Sequence, residues 1–167
     1  MGGLAPDSDE PMSSSQQAAI QQHWHAVAQN TGAVFNFDFW SNCQPRRSTW
    51  PSCRAVIAAG LQDRKIIPAM INGIQKAYYT AAQNPSDLDC LLSVAESIGL
   101  NSQQLRSDIN SDAVQSLFKQ QRERCHSFGI SGFPALVAEN GDQRSVISSG
   151  YLNLETLCAR FEQFLEK

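Results

Sequence analysis

Gly129-Ile130-Ser131-Gly132-Phe133-Pro134 carries the end of a helical pattern into Ala135-Leu136-Val137-Ala138-Glu139. Asn140-Gly141-Asp142 then turns the chain back into Arg144-Ser145-Val146-Ile147-Ser148-Ser149. Asn-Gly between two β-prone runs is the strongest short-range hairpin signal. A proline opening a strand is either an edge device or a cis-proline fixing a tight approach. Beyond the second run, Leu154, Leu157, Cys158, Phe161, Phe164 and Leu165 recur at helical spacing and are expected to form the inner face of a terminal helix. This hairpin is the one β unit the sequence supports.

Upstream of it the pattern is helical. Ser13-Ser14-Ser15 offers an N-cap for a helix from about Ser14 to Asn30 carrying Ile20, Trp24 and Val27, with Gly32 as its stop. Another helix begins near Pro51 and carries Val56-Ile57-Ala58-Ala59, proline being tolerated in a first turn. Ile67, Met70, Ile71, Ile74, Tyr78 and Ala81 keep the spacing of a single face, and Leu88, Leu91, Leu92, Ala95 and Ile98 repeat it up to Gly99. A short helix opens at Asn101-Ser102, and a longer one places Val114, Leu117, Phe118, Cys125 and Phe128 inward. Between the first two helices, Phe35, Phe37 and Phe39 alternate with polar residues. Periodicity alone proposes a strand there, but Asn42, Pro45, Arg46 and Arg47 point to an irregular aromatic loop. The first dozen residues read as loop.

A length of 167 residues fits one domain. Thirteen basic against sixteen acidic residues give a formal charge of −3, which leaves no excess positive charge to displace counterions from a nucleic acid. No apolar run reaches the ~18 residues of a membrane span, and the polar start lacks the regions of a signal peptide. A cytoplasmic chain with no nucleic-acid or membrane partner is the expectation.

Five cysteines, Cys43, Cys53, Cys90, Cys125 and Cys158, form an odd set in which no two have Cys-x-x-Cys spacing, so neither a redox dithiol nor a zinc knuckle is read from them. Cys90, Cys125 and Cys158 fall on or beside apolar stripes, where free cysteine acts as a small hydrophobe. Cys53 lies in a first helical turn next to Arg54 and near Arg46 and Arg47, a setting that favours thiolate. With Cys43 it is the candidate reactive thiol. His23 and His25 are two apart on a helix and point to different faces, so no metal site is expected; no cofactor is expected either.

The ordered set of a long helix, Gly-x-x-Gly-x-Pro, a β-hairpin and a C-terminal helix resembles the second half of a thioredoxin-fold domain, with the helical block before it resembling the insertion of the DsbA-like branch. More closely, Gly2-Gly3-Leu4, Asn36-Phe37-Asp38-Phe39-Trp40, Cys43-Gln44-Pro45-Arg46-Arg47-Ser48-Thr49, Pro51-Ser52-Cys53-Arg54-Ala55 and Ala77-Tyr78-Tyr79 together resemble the FrnE-like subgroup of DsbA-family proteins. The resemblance implies a single thioredoxin-like domain over 1–167, with a helical insertion over about 51–129 and a cis-proline, hairpin and terminal helix over about 130–167. It also implies thiol-disulfide chemistry in which Pro134 is the cis-proline facing a redox dithiol, and Phe133 and Pro134 bind substrate.

The family carries its Cys-x-x-Cys in a first β-α-β unit, and such a unit takes ~30 or more residues. These 167 residues contain none. The expected fold is therefore mainly α with one β-hairpin, an incomplete thioredoxin-like α/β fold lacking that first unit. The expected function is that of a DsbA-like thiol-disulfide oxidoreductase acting on a thiol or disulfide protein or a small thiol, inactive alone because its dithiol is absent. Two alternatives stand beside it. One is a redox-inactive module that binds a partner or dimerises through the open hairpin edge. The other is a relative of kappa-class glutathione transferases and isomerases, with Arg46 and Arg47 holding an anionic substrate.

Overall fold

The computed structural model describes residues 5–166, so Gly2-Gly3-Leu4 of the resemblance lies outside the described residues. The chain is mostly helical with one two-stranded antiparallel sheet. It divides into two compact units, Met1–Phe118 and Lys119–Lys167.

In the first unit α1 (Ser14–Thr31) starts on a capping box in which Ser13 and Gln16 satisfy each other's backbone N–H groups, and it ends on Gly32 at φ 73°. Its one buried residue is Trp24. Trp24 holds the aromatic loop. Phe35 and Trp40 lie at ring-centroid distances of 5.0 Å, Tyr78 at 5.2 Å and Phe39 at 5.8 Å. The alternation of Phe35, Phe37 and Phe39 thus reflects wrapping around one indole and not a strand. The backbone N–H of Asn36 donates to the Tyr79 carbonyl at 2.7 Å, and Phe39–Asn42 closes as a single helical turn, α2.

Helix α3 (Trp50–Gln62) buries Cys53, Ala55, Val56, Ile57, Ala58 and Ala59, so it is apolar nearly all round and forms the centre of the unit. A short 3-10 turn, Arg64–Ile66, leads to α4 (Ile67–Tyr79), followed by α5 (Leu88–Ser97) and α6 (Ser102–Asp108), and α3 packs on each of these three helices. Small residues allow the close approach. A Cβ at Gly73 of α4 would lie 2.5 Å from Val94 Cγ1 of α5, so only glycine lets these helices meet as they do. Helix α7 (Asp112–Ser127) contributes Val114 and Phe118 to the same core.

In the second unit the end of α7 stops at Gly129, φ 68°, with the Ile130 N–H donating to the Cys125 carbonyl. Strands β1 (Ala135–Asn140) and β2 (Gln143–Ser149) pair antiparallel, with a bulge at Leu136/Val137. Asn140 pairs with Gln143, so the two-residue turn is Gly141-Asp142, with Gly141 at φ 58°. The turn therefore sits one residue later than Asn-Gly suggests. Helix α8 (Leu154–Leu165) covers Ala138 and Ile147 with Phe164 and Leu157. The expected inner face of α8 is only partly realised: Leu154, Phe161 and Leu165 are exposed, and so is Cys158. Two strands offer too little apolar area to bury a full helical stripe.

Candidate functional site

A cleft of about 480 Å³ opens in the first unit where loop 45–49, the start of α3, one face of α4 and segment 84–86 converge. Its floor is apolar: Val56 from α3, Ile71 and Ile74 from α4, and Tyr78 at the end of that helix. Arg46, Arg47, Ser48, Thr49 and Ser52 supply the polar wall. An apolar floor with a few convergent polar groups is the usual build of a small-molecule or peptide side-chain site.

The polar wall is held from two directions. The N-terminal segment, read from sequence as a plain loop, is a strap across the wall. The Met12 N–H donates to the Pro45 carbonyl at 2.8 Å and Trp50 Nε1 to the Ala5 carbonyl at 2.8 Å. Ser48 Oγ donates to Asp7 Oδ1 at 3.0 Å, Arg54 pairs with Asp7 at 3.4 Å, and Arg46 pairs with Asp9 at 3.1 Å. On the other side Arg46 Nη1 donates to the Ser86 carbonyl and Ser52 Oγ to the Pro85 carbonyl. The Asp9 carboxylate is 94% exposed, so its ion pair is worth at most ~1 kcal/mol and an incoming anion can compete for Arg46. Arg47 is exposed at the cleft and stays close enough to Tyr78 to oppose part of the rise in that phenol's pKa, a rise caused mainly by burial and then by Tyr79.

The candidate thiols occupy different settings. Cys53 lies in the first turn of α3, as expected, but it is 5% exposed within the core while also lining the cleft. Two of the cations invoked to activate it, Arg46 and Arg54, are engaged by Asp9 and Asp7. Cys43 caps the end of α2, donates its S–H to the Ala82 carbonyl at 3.3 Å and lines a second, polar cavity. Burial, and then the Asp87 carboxylate, push its pKa up, the reverse of an activated nucleophile. Among the described residues no three His, Cys, Asp or Glu gather as a metal-holding group, and His25 stacks on Phe37 at 4.3 Å.

In the second unit Phe133 and Pro134 precede β1, both exposed and joined by a cis peptide bond. The Pro134 carbonyl accepts from the Gly150 N–H at 2.8 Å, which anchors the loop to the end of β2. Leu136 and Val146 are exposed beside it.

Residues 2–162 match the model of the DSBA-like thioredoxin domain. The chain belongs to the DSBA-like thioredoxin domain family. Among solved structures this family member is similar to a candidate protein disulfide isomerase from Nitrosomonas europaea, 29% identical, with a TM-score of 0.84 over 98% of this chain and 80% of that one. It shares the fold of the cytosolic disulfide reductase DsbM from Pseudomonas aeruginosa, 23% identical with a TM-score of 0.76 over 94% of this chain and 79% of that one. A structure of DsbM with GSH gives a TM-score of 0.74 at 22% identity, over 95% of this chain and 80% of that one. The ClpXP adapter protein SpxH of Bacillus subtilis (strain 168) is 23% identical over 122 residues, 72% of this chain. This DSBA-like chain spans about two fifths (41%) of that curated relative's length. Among the described residues no helix is long and apolar enough to cross a membrane.

The sequence singled out Arg46, Arg47, Cys53, Tyr78 and Tyr79, and all five line the cleft. It missed the strap carboxylates Asp7 and Asp9. The acidic run from Asp7 to Glu10 facing the Arg46-Arg47 pair in composition was the available signal.

Proposed function

We propose that this chain serves thiol-disulfide exchange as the substrate-holding part of a DsbA-type oxidoreductase, with a thiol-bearing or disulfide-bearing molecule as its ligand. The observation that carries this reading is the family match over residues 2–162 combined with five cysteines that nowhere form Cys-x-x-Cys. The Phe133-Pro134 loop presents backbone to a substrate strand, and the cleft takes an anionic thiol of the glutathione class, its carboxylate on Arg47 and, by displacing Asp9, on Arg46. The solved DsbM structure with GSH supports that choice of ligand. Rapid turnover needs a low-pKa thiolate with a resolving thiol beside it, the arrangement that Cys-x-x-Cys supplies.

The 167-residue polypeptide is accordingly expected to show no insulin reduction above that of free dithiothreitol. Catalysed turnover abolished by Cys53→Ser or Cys43→Ser would overturn the reading and move the chemistry to those thiols.

A second reading, a binding or dimerisation module using the hairpin edge, is favoured by the exposure of Leu136 and Val146 on the two strands. Light scattering after size exclusion tests it: a dimer dissolved by Val137→Pro supports edge pairing, and a monomer throughout the micromolar range removes it.

A further inference from the structure

The polar cavity beside the cleft holds two cysteines that the exchange reaction above does not use. Its volume is about 720 Å³, and Cys43 and Cys90 both line it. Cys43 comes from the end of α2 and Cys90 from the first turn of α5. The two segments are tied together by a single side chain. Asn84 Nδ2 donates to the Gln44 carbonyl at 3.3 Å and to Asp87 Oδ2 at 3.0 Å, so the residue after Cys43 and the residue three before Cys90 share one amide group. Asn84 is buried, which fixes that link. Ala82, whose carbonyl accepts the Cys43 S–H, holds φ 51°, a conformation that disfavours residues with a Cβ.

We propose that Cys43 and Cys90 are an oxidisable pair: a small-molecule disulfide such as oxidised glutathione converts them to an intramolecular Cys43–Cys90 disulfide across this cavity. The thiolate of one cysteine attacks the oxidant, breaking its S–S bond, forming a mixed disulfide and releasing one thiolate that takes up a proton. The second cysteine attacks the protein sulfur of that mixed disulfide and expels the second small thiol. Two protein thiols are oxidised and one small disulfide is reduced to two thiols. The bridge would pin the loop that carries Arg46 to α5.

The environment sets the pace. Burial pushes the Cys90 thiol up to about 11, with further rises from Asp87 and from Cys43, whose charge reaches it across the cavity. Asp9 and Asp89 also wall the space, and Arg46 is its one lining cation among the described residues. Both thiols are thus mostly protonated at neutral pH, and exchange through them quickens as the pH rises and the thiolate fraction grows.

The test is incubation of the reduced protein with oxidised glutathione, followed by thiol counting and non-reducing peptide mapping. Two of the five thiols are expected to be lost, with the fragment ending at Arg46 linked to fragment 77–106. Cys43→Ser and Cys90→Ser should each abolish the link and leave a glutathione adduct on the remaining partner. Stable separate adducts on Cys43 and Cys90 in the wild type, a dominant link between another pair, or both thiols surviving at pH 9 would each overturn the proposal. None of these outcomes bears on whether the cleft binds a thiol ligand, so the two proposals fail independently.

Discussion

Replacing Gly73 with alanine sets helix propensity against packing. Propensity alone favours alanine in a helix interior by about 1 kcal/mol. The new Cβ, however, would lie 2.5 Å from Val94 Cγ1, where carbon atoms rest at about 3.5–4.0 Å. Val94 is buried, and a β-branched residue in a helix has essentially one χ1 rotamer, so it cannot swing aside at low cost. Either α4 and α5 separate or Val94 leaves its rotamer, and overpacking of this kind costs roughly 1–3 kcal/mol. Given the depth of the overlap, packing wins, and Gly73→Ala should destabilise by about 1–2 kcal/mol. Urea unfolding followed by tryptophan fluorescence reads this unit, since Trp24, Trp40 and Trp50 all lie within it. Val94→Ala removes the opposing methyl groups, so the double variant should be more stable than the sum of the two single losses by at least about 1 kcal/mol. A stabilised Gly73→Ala, or strictly additive losses, would refute the close approach of α4 to α5 that shapes the floor of the cleft.

Ala82 at φ 51° pays the left-handed penalty of a residue with a Cβ, so Ala82→Gly should raise stability by about 1 kcal/mol in the same urea assay. Asn153 caps α8 by accepting from the Thr156 N–H at 2.9 Å; Asn153→Ala should cost about 1 kcal/mol, read as roughly fivefold faster amide exchange along α8. Removing the strap carboxylate with Asp9→Asn frees Arg46 and should tighten binding of glutathione severalfold at low salt, with the gain fading as salt screens the exposed pair.

Helices α4 and α5 were legible because each turns one face to the core, and the 3-and-4 spacing of Ile67, Met70, Ile71 and Ile74 records it directly. The aromatic loop was ambiguous for a physical reason: Phe35, Phe37 and Phe39 alternate because they surround Trp24, a tertiary cause that copies the period of a strand. The terminal helix shows the converse error, an apolar stripe longer than the surface available to cover it within its unit. For the cleft, the arginines and Tyr78 stood out in the family-like segments. The hydroxyls of Ser48 and Ser52 and the strap from Ala5 to Met12 did not, because their role exists only where segments some forty residues apart converge. The thiols illustrate the limit of position alone. A first-turn cysteine beside arginines reads as activated, yet carboxylates already engage Arg46 and Arg54, and burial moves Cys43 the other way.

If the cleft holds the anionic thiol ligand of an exchange reaction, an inert analogue of that ligand must bind there. An amide-resolved NMR titration with S-methylglutathione, which cannot exchange disulfides, tests it without covalent chemistry. Saturable shifts concentrated at residues 45–49, 52–56 and 71–79, weakened by Arg47→Ala, are the predicted result. Shifts confined to other segments, or none at millimolar ligand, would contradict it.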